Sequence, residues 1–125
     1  GRPKNTPGGW FVEPTVFTDV ANDAVISREE IFGPVLSIIP YEGEDEAISL
    51  ANDSQFGLGG SVWSSNNEHA LKVAKKVNCG TVGVNGYVPS IGAPFGGVKG
   101  SGIGRELGPE AVDSYQSFKS TYIMS

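Results

Sequence analysis

The stretch "GSVWSSNNEHALKVAKKVNCGTVGVN" (residues 60–85) decides the fold, because strand, helix and strand patterns follow one another within it. Short segments at its two ends, 60–64 and 81–85, predict strands. The segment between them, 66–77, predicts a helix with an apolar stripe formed by Ala70, Leu71, Ala74 and Val77. Two strands joined through a helix by short links predict a parallel α/β unit with a right-handed crossover.

The ends of this helix are marked in the sequence. Asn66 suits the N-cap, since its side chain can accept a hydrogen bond from the first turn. Gly80 suits the position that closes the helix. We therefore expect a helix over residues 66–77, followed by a short link to the second strand.

Toward the N-terminus, the apolar run VLSIIPY (35–41) predicts a strand buried on both faces. Residues 44–54 predict a helix that begins with acidic side chains, where the helix dipole favours them. Residues 10–20 contain Pro14 among β-branched and aromatic residues, which predicts extended structure at a sheet edge or between two short strands. The strand and helix patterns from 35 to 85 together predict one parallel α/β unit.

Toward the C-terminus, residues 86–108 are typical of a loop and PEAVDSY (109–115) predicts a short helix that starts with proline. The closing segment 116–125 is expected to be extended. Ligands of parallel sheets bind near the carboxyl ends of the strands. Asn85 and the glycine-rich loop after it lie at such an end.

The composition excludes several classes of protein. The 125 residues carry a net charge of −5 and show no basic patch, which argues against a nucleic-acid partner. No apolar run approaches the ~20 residues of a membrane span. A single cysteine, Cys79, excludes an internal disulfide and a multi-cysteine metal site and fits a cytoplasmic protein. Met124 is the only methionine, so no initiator methionine opens the chain, and we expect it to be processed, engineered or a piece of something longer.

Two segments invite a catalytic or nucleotide interpretation that the pattern does not support. GSGIGR (100–105) lacks the last glycine of the dinucleotide fingerprint, and a tightly turning loop packed against backbone is the favoured alternative. Cys79 and His69 are ten residues apart, and the pattern indicates no partner that would orient either for catalysis. We interpret both as structural residues, with His69 facing solvent.

The stretch EEIFGPV (29–35) leaves two interpretations open. Adjacent extended residues point in opposite directions, so Glu29 and Glu30 are not expected to share a proton. One carboxylate could accept hydrogen bonds from the two hydroxyls of a ribose, and Phe32 could face a neighbouring ring. The alternative is an ordinary turn at Gly33-Pro34.

Four motifs in order carry a resemblance to a known family: EEIFGPV, NDSQFGLGGSVWS, GTVGVN and PFGGVKGSGIGRELG. Together they resemble the C-terminal part of the NAD(P)-dependent aldehyde dehydrogenase superfamily, nearly end to end. The resemblance implies a three-layer α-β-α fold with a mainly parallel sheet, in which residues 1–114 belong to the catalytic domain. It assigns residues 115–125 to the strand of an oligomerisation region, so a homo-oligomer is expected.

The resemblance also implies roles for individual residues. Glu30 resembles the glutamate that binds the nicotinamide ribose of NAD or NADP, and Phe32 the aromatic that positions the nicotinamide. Phe95 resembles an aromatic of the aldehyde pocket, after a substrate loop from Asn85 to Ala93. Glu106 resembles a buried glutamate that assists proton movement.

The implied reaction is oxidation of an aldehyde to a carboxylic acid through a cysteine thiohemiacetal and a thioester. The family's nucleophilic cysteine, general-base glutamate, oxyanion-hole asparagine and Rossmann domain have no match in this chain, and Cys79 does not match the nucleophile. We therefore expect the chain by itself to be inactive.

Two other functions remain as alternatives. A non-catalytic oligomerisation or interaction module would use the closing segment, since an unpaired strand offers backbone groups to another chain. An independent nucleotide-binding domain would bind NAD without the remainder of the family's sequence.

Overall fold

The computed structural model describes residues 1–5 and 8–125, and the chain divides into two compact units, Gly1–Leu50 and Ala51–Ser125. Each unit contains one sheet of two parallel strands. The predicted α/β class with parallel strands is thereby confirmed. The boundary predicted between residues 114 and 115 stays a prediction.

The first unit pairs β1 (Thr15–Phe17) with β2 (Val35–Ser37). The short helix α1 (Val25–Arg28) lies between them in sequence. It is held to β2 by the Ser37 hydroxyl, which donates to the Ile26 carbonyl oxygen over 3.4 Å. The chain from β1 to β2 therefore forms a strand–helix–strand unit of minimal length.

The predicted strand 35–41 is wrong in length, in burial and in partner. Only Val35–Ser37 is a strand, and Leu36 is 57% exposed, so the strand is not buried on both faces. Within the described part of the first unit, little covers the face that Leu36 presents. The strand pairs with β1, and the strands therefore form two separate pairs in place of one predicted unit.

The predicted helix 44–54 is observed as α2 (Glu44–Asn52). Three consecutive acids, starting at Glu44, occupy its first turn, where unpaired backbone N–H groups favour negative charge. The helix ends two residues earlier than predicted.

The second unit contains the strand–helix–strand arrangement predicted for residues 60–85. The strands β3 (Gly59–Val62) and β4 (Thr81–Val84) pair in parallel, in register from Gly59–Thr81 to Val62–Val84. The helix α3 (Asn67–Ala74) packs against both strands. Ala70, the first residue of the predicted apolar stripe, is fully buried and forms the core of this contact, whereas Leu71 of the same stripe is 53% exposed.

One end of α3 follows the sequence signal and the other does not. Asn66 is the N-cap, and its side-chain oxygen accepts the backbone N–H of His69 at 3.0 Å, as predicted. Gly80 does not close the helix, which ends at Ala74. Gly80 instead donates its N–H to the Gly57 carbonyl oxygen at 3.0 Å. A side chain there would overlap the carbonyl oxygen of Gly96, so this glycine serves a close backbone contact.

The remaining chain is mostly irregular, as predicted. Lys99–Ser101 forms a single 3₁₀ turn within the predicted loop, and the predicted short helix is a 3₁₀ helix, Pro109–Tyr115, with proline in its first turn. The closing segment 117–125 makes no backbone hydrogen bond with other described residues. No helix among the described residues has the length and apolar character needed to cross a bilayer.

Candidate functional site

The loop between α1 and β2 carries the acidic pair and the aromatic residue singled out from the sequence. Glu29 ends α1, and its N–H donates to the Val25 carbonyl oxygen at 2.9 Å. Glu30 follows in an exposed position. Its carboxylate makes no hydrogen bond or ion pair with the described part of the chain. Both of its oxygens are therefore able to accept hydrogen bonds from a ligand.

Phe32 has an unusual backbone conformation. Its φ is +51°, a left-handed value that is a genuine outlier for a bulky residue. Its side chain is 92% exposed. The chain therefore holds an aromatic ring in solvent at the cost of backbone strain, and such outliers occur at ligand-binding sites more often than elsewhere.

In the second unit, the structure brings Phe95 and Glu106 together. The two residues form an antiparallel bridge. The Phe95 N–H donates to the Glu106 carbonyl oxygen at 2.7 Å, and the Glu106 N–H donates to the Phe95 carbonyl oxygen at 2.8 Å. Both residues are candidates from the sequence, but no sequence pattern predicts that they pair. They belong to a different compact unit from Glu30 and Phe32.

The expectation of a buried Glu106 is not met within this chain. Its side chain is exposed, and its bridge to Phe95 engages the main chain alone. The role suggested for Glu106 in proton movement stays a prediction.

Two basic side chains hold the loop that joins Phe95 to Glu106. Arg105 Nη1 donates to the carbonyl oxygens of Gly97 at 2.8 Å and Gly104 at 2.7 Å. Lys99 Nζ donates to the carbonyl oxygens of Asn52 at 2.7 Å and Ser54 at 3.0 Å. The hydrogen bonds of Lys99 satisfy carbonyl groups at the C-terminus of α2, where a positive charge is favourable.

This loop is packed against backbone and does not form a phosphate cradle. A side chain at Gly100 would lie 2.9 Å from the Gln55 carbonyl oxygen, and the Gly57 N–H donates to Ser101 Oγ at 2.9 Å. No α-helix follows Arg105 among the described residues. The geometry supports the packed-loop alternative for GSGIGR.

A cavity of about 220 Å³ lies beside Phe95. Its walls come from β4, from the loop after β4 and from Phe95, and no charged side chain is among them. Drug-sized ligands occupy pockets of roughly 300–1,000 Å³, so this cavity suits a smaller, uncharged group.

A pair of hydroxyls in the cavity wall has no signature in the sequence. Thr81 Oγ1 and the Tyr87 hydroxyl are 2.6 Å apart. Six residues separate them in sequence, and no motif links a threonine at the start of a strand to a tyrosine after it. Only the reversal of the chain at the end of β4 brings them together.

Cys79 and His69 take structural positions. Cys79 is partly buried, and its Sγ lies 3.2 Å from the Thr81 carbonyl oxygen, as a thiol donor. Burial raises the pKa of the Cys79 thiol, and the charge of Lys99 opposes this shift. The thiolate is thus disfavoured, which is the opposite of what a nucleophile requires. His69 is exposed on α3, as expected.

Within residues 1–5 and 8–125, no cluster of three or more histidine, cysteine, aspartate or glutamate side chains is arranged to hold a metal ion.

Comparison with known proteins gives consistent relatives. The family model described as "Aldehyde dehydrogenase family" matches residues 1–121. Geranial dehydrogenase of Castellaniella defragrans is 64% identical over 116 residues, which are 93% of this chain and 24% of that protein. Betaine aldehyde dehydrogenase of Rhizobium leguminosarum bv. trifolii is 43% identical over 125 residues, 98% of this chain and 26% of that protein. The chain spans about a quarter of the length of the curated relatives it matches.

Solved structures superpose closely on the chain. Aldehyde dehydrogenase of Mycobacterium tuberculosis complexed with NAD+ gives a TM-score of 0.90 at 52% identity, over 92% of this chain and 24% of that one. A mutant of aldehyde dehydrogenase C from Pseudomonas syringae, complexed with NAD+ and octanal, gives 0.88 at 43% identity, also over 92% of this chain and 24% of that one.

Proposed function

The chain belongs to the aldehyde dehydrogenase family, and on this premise we propose that it contributes to the NAD-dependent oxidation of an aldehyde to a carboxylic acid. The observation that carries the proposal is the loop with an exposed Glu30, whose carboxylate has no partner among the described residues, and an exposed Phe32 ring. Relatives are known in complexes with NAD+, which favours NAD over NADP.

The chemistry of this loop fits the nicotinamide end of the cofactor. A carboxylate with two open acceptor oxygens matches the two hydroxyls of a ribose, and an exposed aromatic face matches a flat ring. Glu30 would fix the ribose, and Phe32 would limit the positions open to the nicotinamide. The bound cofactor supplies the hydride acceptor, and this loop orients it.

Phe95 and the cavity beside it are proposed to hold the aldehyde. The uncharged lining favours an apolar substrate over one with a charged group. The geranial dehydrogenase relative and the relative complexed with octanal agree with this preference. Glu106, exposed next to Phe95, is proposed to assist proton movement in the longer protein.

The reacting cysteine is proposed to lie outside this chain. Cys79 is disfavoured as the nucleophile by its partial burial and raised pKa. A thiohemiacetal and then a thioester would form on a cysteine contributed by other parts of the family's sequence. On its own, the chain is therefore proposed to be inactive.

The experiment that tests the proposal is aldehyde-dependent reduction of NAD, followed by the absorbance of NADH. It is run on the 125-residue chain alone, on the full-length protein and on the full-length protein with Glu30→Ala. We expect no activity from the chain alone, activity in the full-length protein and slower hydride transfer in the variant. Activity from the chain alone would return Cys79 to consideration as the nucleophile.

A second function, association with identical copies, is favoured by the closing segment. Phe118, Tyr122, Ile123 and Met124 are at least 87% exposed, and the segment has no strand partner in the described chain. Residues 115–125 are proposed to pair with a strand of another copy, with 1–114 as the catalytic portion. Light scattering tests this: deletion of 117–125 lowers the number of chains per particle if the proposal is right, and leaves that number unchanged if it is wrong.

A cytoplasmic location is also proposed. Cys79 is a free thiol, and free thiols persist in reducing compartments. Fractionation of cells that express the full-length protein tests this, and recovery from an oxidising compartment would contradict it.

A further inference from the structure

The chain reverses sharply after β4 and lies back along that strand. Asn85 adopts a left-handed φ of +54°, which asparagine tolerates better than most residues. Gly83 allows the reversal, because a side chain there would overlap the carbonyl oxygen of Gly86. The returning segment therefore lies directly against the strand that it has just left.

Tyr87 fastens the returning segment to the start of β4. Its hydroxyl is 2.6 Å from Thr81 Oγ1, and Thr81 Oγ1 donates to the Leu58 carbonyl oxygen at 3.2 Å. A hydroxyl has one proton to donate, so the Tyr87 hydroxyl is the donor to Thr81. The three groups thus form a chain of hydrogen bonds from Tyr87 to Leu58.

A glycine makes room for this contact. Gly59 lies opposite Thr81 in the β3–β4 pair, and a side chain at Gly59 would overlap the Tyr87 hydroxyl. The absence of a side chain at Gly59 therefore leaves room for the Tyr87 hydroxyl next to the Gly59–Thr81 pair.

Tyr87, held by this hydrogen bond, lines the candidate aldehyde cavity. Thr81, Tyr87 and Phe95 all line it. Tyr87 is 41% exposed, so packing alone does not fix its ring. The hydrogen bond to Thr81 is the directional contact that sets where the ring stands.

We propose that the Tyr87–Thr81 hydroxyl pair is a positioning device that fixes the width of the cavity and thereby selects aldehydes by the size of their carbon chain. The inference rests on the proposed function. Tyr87 acts as a specificity-determining residue, and Thr81 acts through Tyr87.

The test of selectivity uses Tyr87→Phe in the full-length protein, with kcat/KM measured for straight-chain aldehydes of increasing length. Loss of one hydrogen bond should reduce the discrimination between the best and the shortest aldehyde by about three- to tenfold. The change should fall on KM for the longer aldehydes. Unchanged discrimination would overturn the proposal.

Three further variants separate the hydrogen bond from general damage. Thr81→Ser keeps the hydroxyl and should retain the wild-type profile, whereas Thr81→Val should reproduce the profile of Tyr87→Phe. Tyr115→Phe is the matched control, because Tyr115 is 86% exposed and does not line the cavity. A control that changes the profile equally would refute a specific role for Tyr87.

A measurement without activity distinguishes failure of this proposal from failure of the proposed function. Urea unfolding of the 125-residue chain with Tyr87→Phe, Thr81→Val and both together forms a double-mutant cycle. If the pair is formed, the double variant is no less stable than the worse single variant. Additive losses would overturn the inference whatever the enzyme oxidises. Coupled losses, with a wild-type protein that oxidises no aldehyde, would refute the proposed function and with it the role in selectivity.

Discussion

The side chain of Asn85 pairs with the backbone of Ser64 in the way that a peptide group of a strand would. Its Oδ1 accepts the Ser64 N–H at 2.8 Å, and its Nδ2 donates to the Ser64 carbonyl oxygen at 2.9 Å. The same Nδ2 reaches Asn67 Oδ1 at 2.9 Å, beside the start of α3. One amide thus extends the β3–β4 pairing past the ends of both strands and ties it to the helix.

Two substitutions of Asn85 should separate the contribution of its side-chain hydrogen bonds to stability from that of its left-handed backbone. Asn85→Gly removes three hydrogen bonds and keeps the left-handed backbone accessible, so the free energy of unfolding should fall by about 1–3 kcal/mol. Asn85→Ala should cost about 1 kcal/mol more, because alanine is strained at this φ. Urea unfolding of the chain measures both. Equal stability of the two variants would show that the backbone conformation is not held at Asn85.

Gly80 should tolerate no side chain, whereas Gly86 should. Gly80→Ala places a methyl group on the Gly96 carbonyl oxygen, and the free energy of unfolding should fall by about 1–3 kcal/mol or more. Gly86→Ala is the matched control, because nothing lies within 4 Å of the added carbon. Thermal unfolding compares the pair. A Gly80→Ala variant as stable as Gly86→Ala would mean that the contact of residue 80 with residue 96 is not formed.

Glu30 should act on the cofactor, and Glu29 should not. Glu30→Gln keeps the shape of the side chain and removes its charge, so KM for NAD in the full-length protein should rise about tenfold through weaker hydrogen bonds to the ribose. Glu29→Gln changes the neighbouring carboxylate by the same amount and should leave KM within about twofold. Initial rates over a range of NAD concentrations measure both values. An equal rise of KM in the two variants would mean that NAD binding depends on the total negative charge of the loop and not on Glu30 in particular.

Cys79 should react slowly with an alkylating reagent while the chain is folded. Burial raises its thiol pKa, so at neutral pH the thiolate fraction is lower than in the unfolded chain. The alkylation rate should therefore begin to rise at a higher pH in buffer, where the chain is folded, than in urea. Because Cys79 is the only cysteine, mass spectrometry assigns the product without ambiguity. Identical pH profiles in buffer and urea would contradict the raised pKa.

The same shift links stability to alkaline pH. A raised pKa in the folded state means that the unfolded chain loses its thiol proton first. The contribution is fully present below the ordinary thiol pKa and is lost as pH rises through the folded value. The free energy of unfolding should therefore decline across this alkaline range, and the decline should be smaller in Cys79→Ala.

Sequence patterns predicted the central strand–helix–strand well. Asn66 caps α3 because a short polar side chain followed by a helical stripe is a local signal, and local signals survive without knowledge of the rest of the fold. Ala70 was likewise predicted on the stripe and is fully buried. The prediction for Gly80 failed because a glycine after a helix also suits a close backbone contact, and the partner, Gly96, is sixteen residues away.

By itself, the sequence determined the α/β class, the order of the elements from β2 to β4 and the family, because these depend on periodicity and on motifs that are read along the chain. Tertiary structure alone decided that β1 pairs with β2, that Phe95 and Glu106 bridge, and that Tyr87 returns to Thr81. No sequence pattern identifies which residue will be the partner in such a contact. Hydrogen bonds across space depend on where the chain reverses, and the left-handed turn at Asn85 sets that reversal after β4.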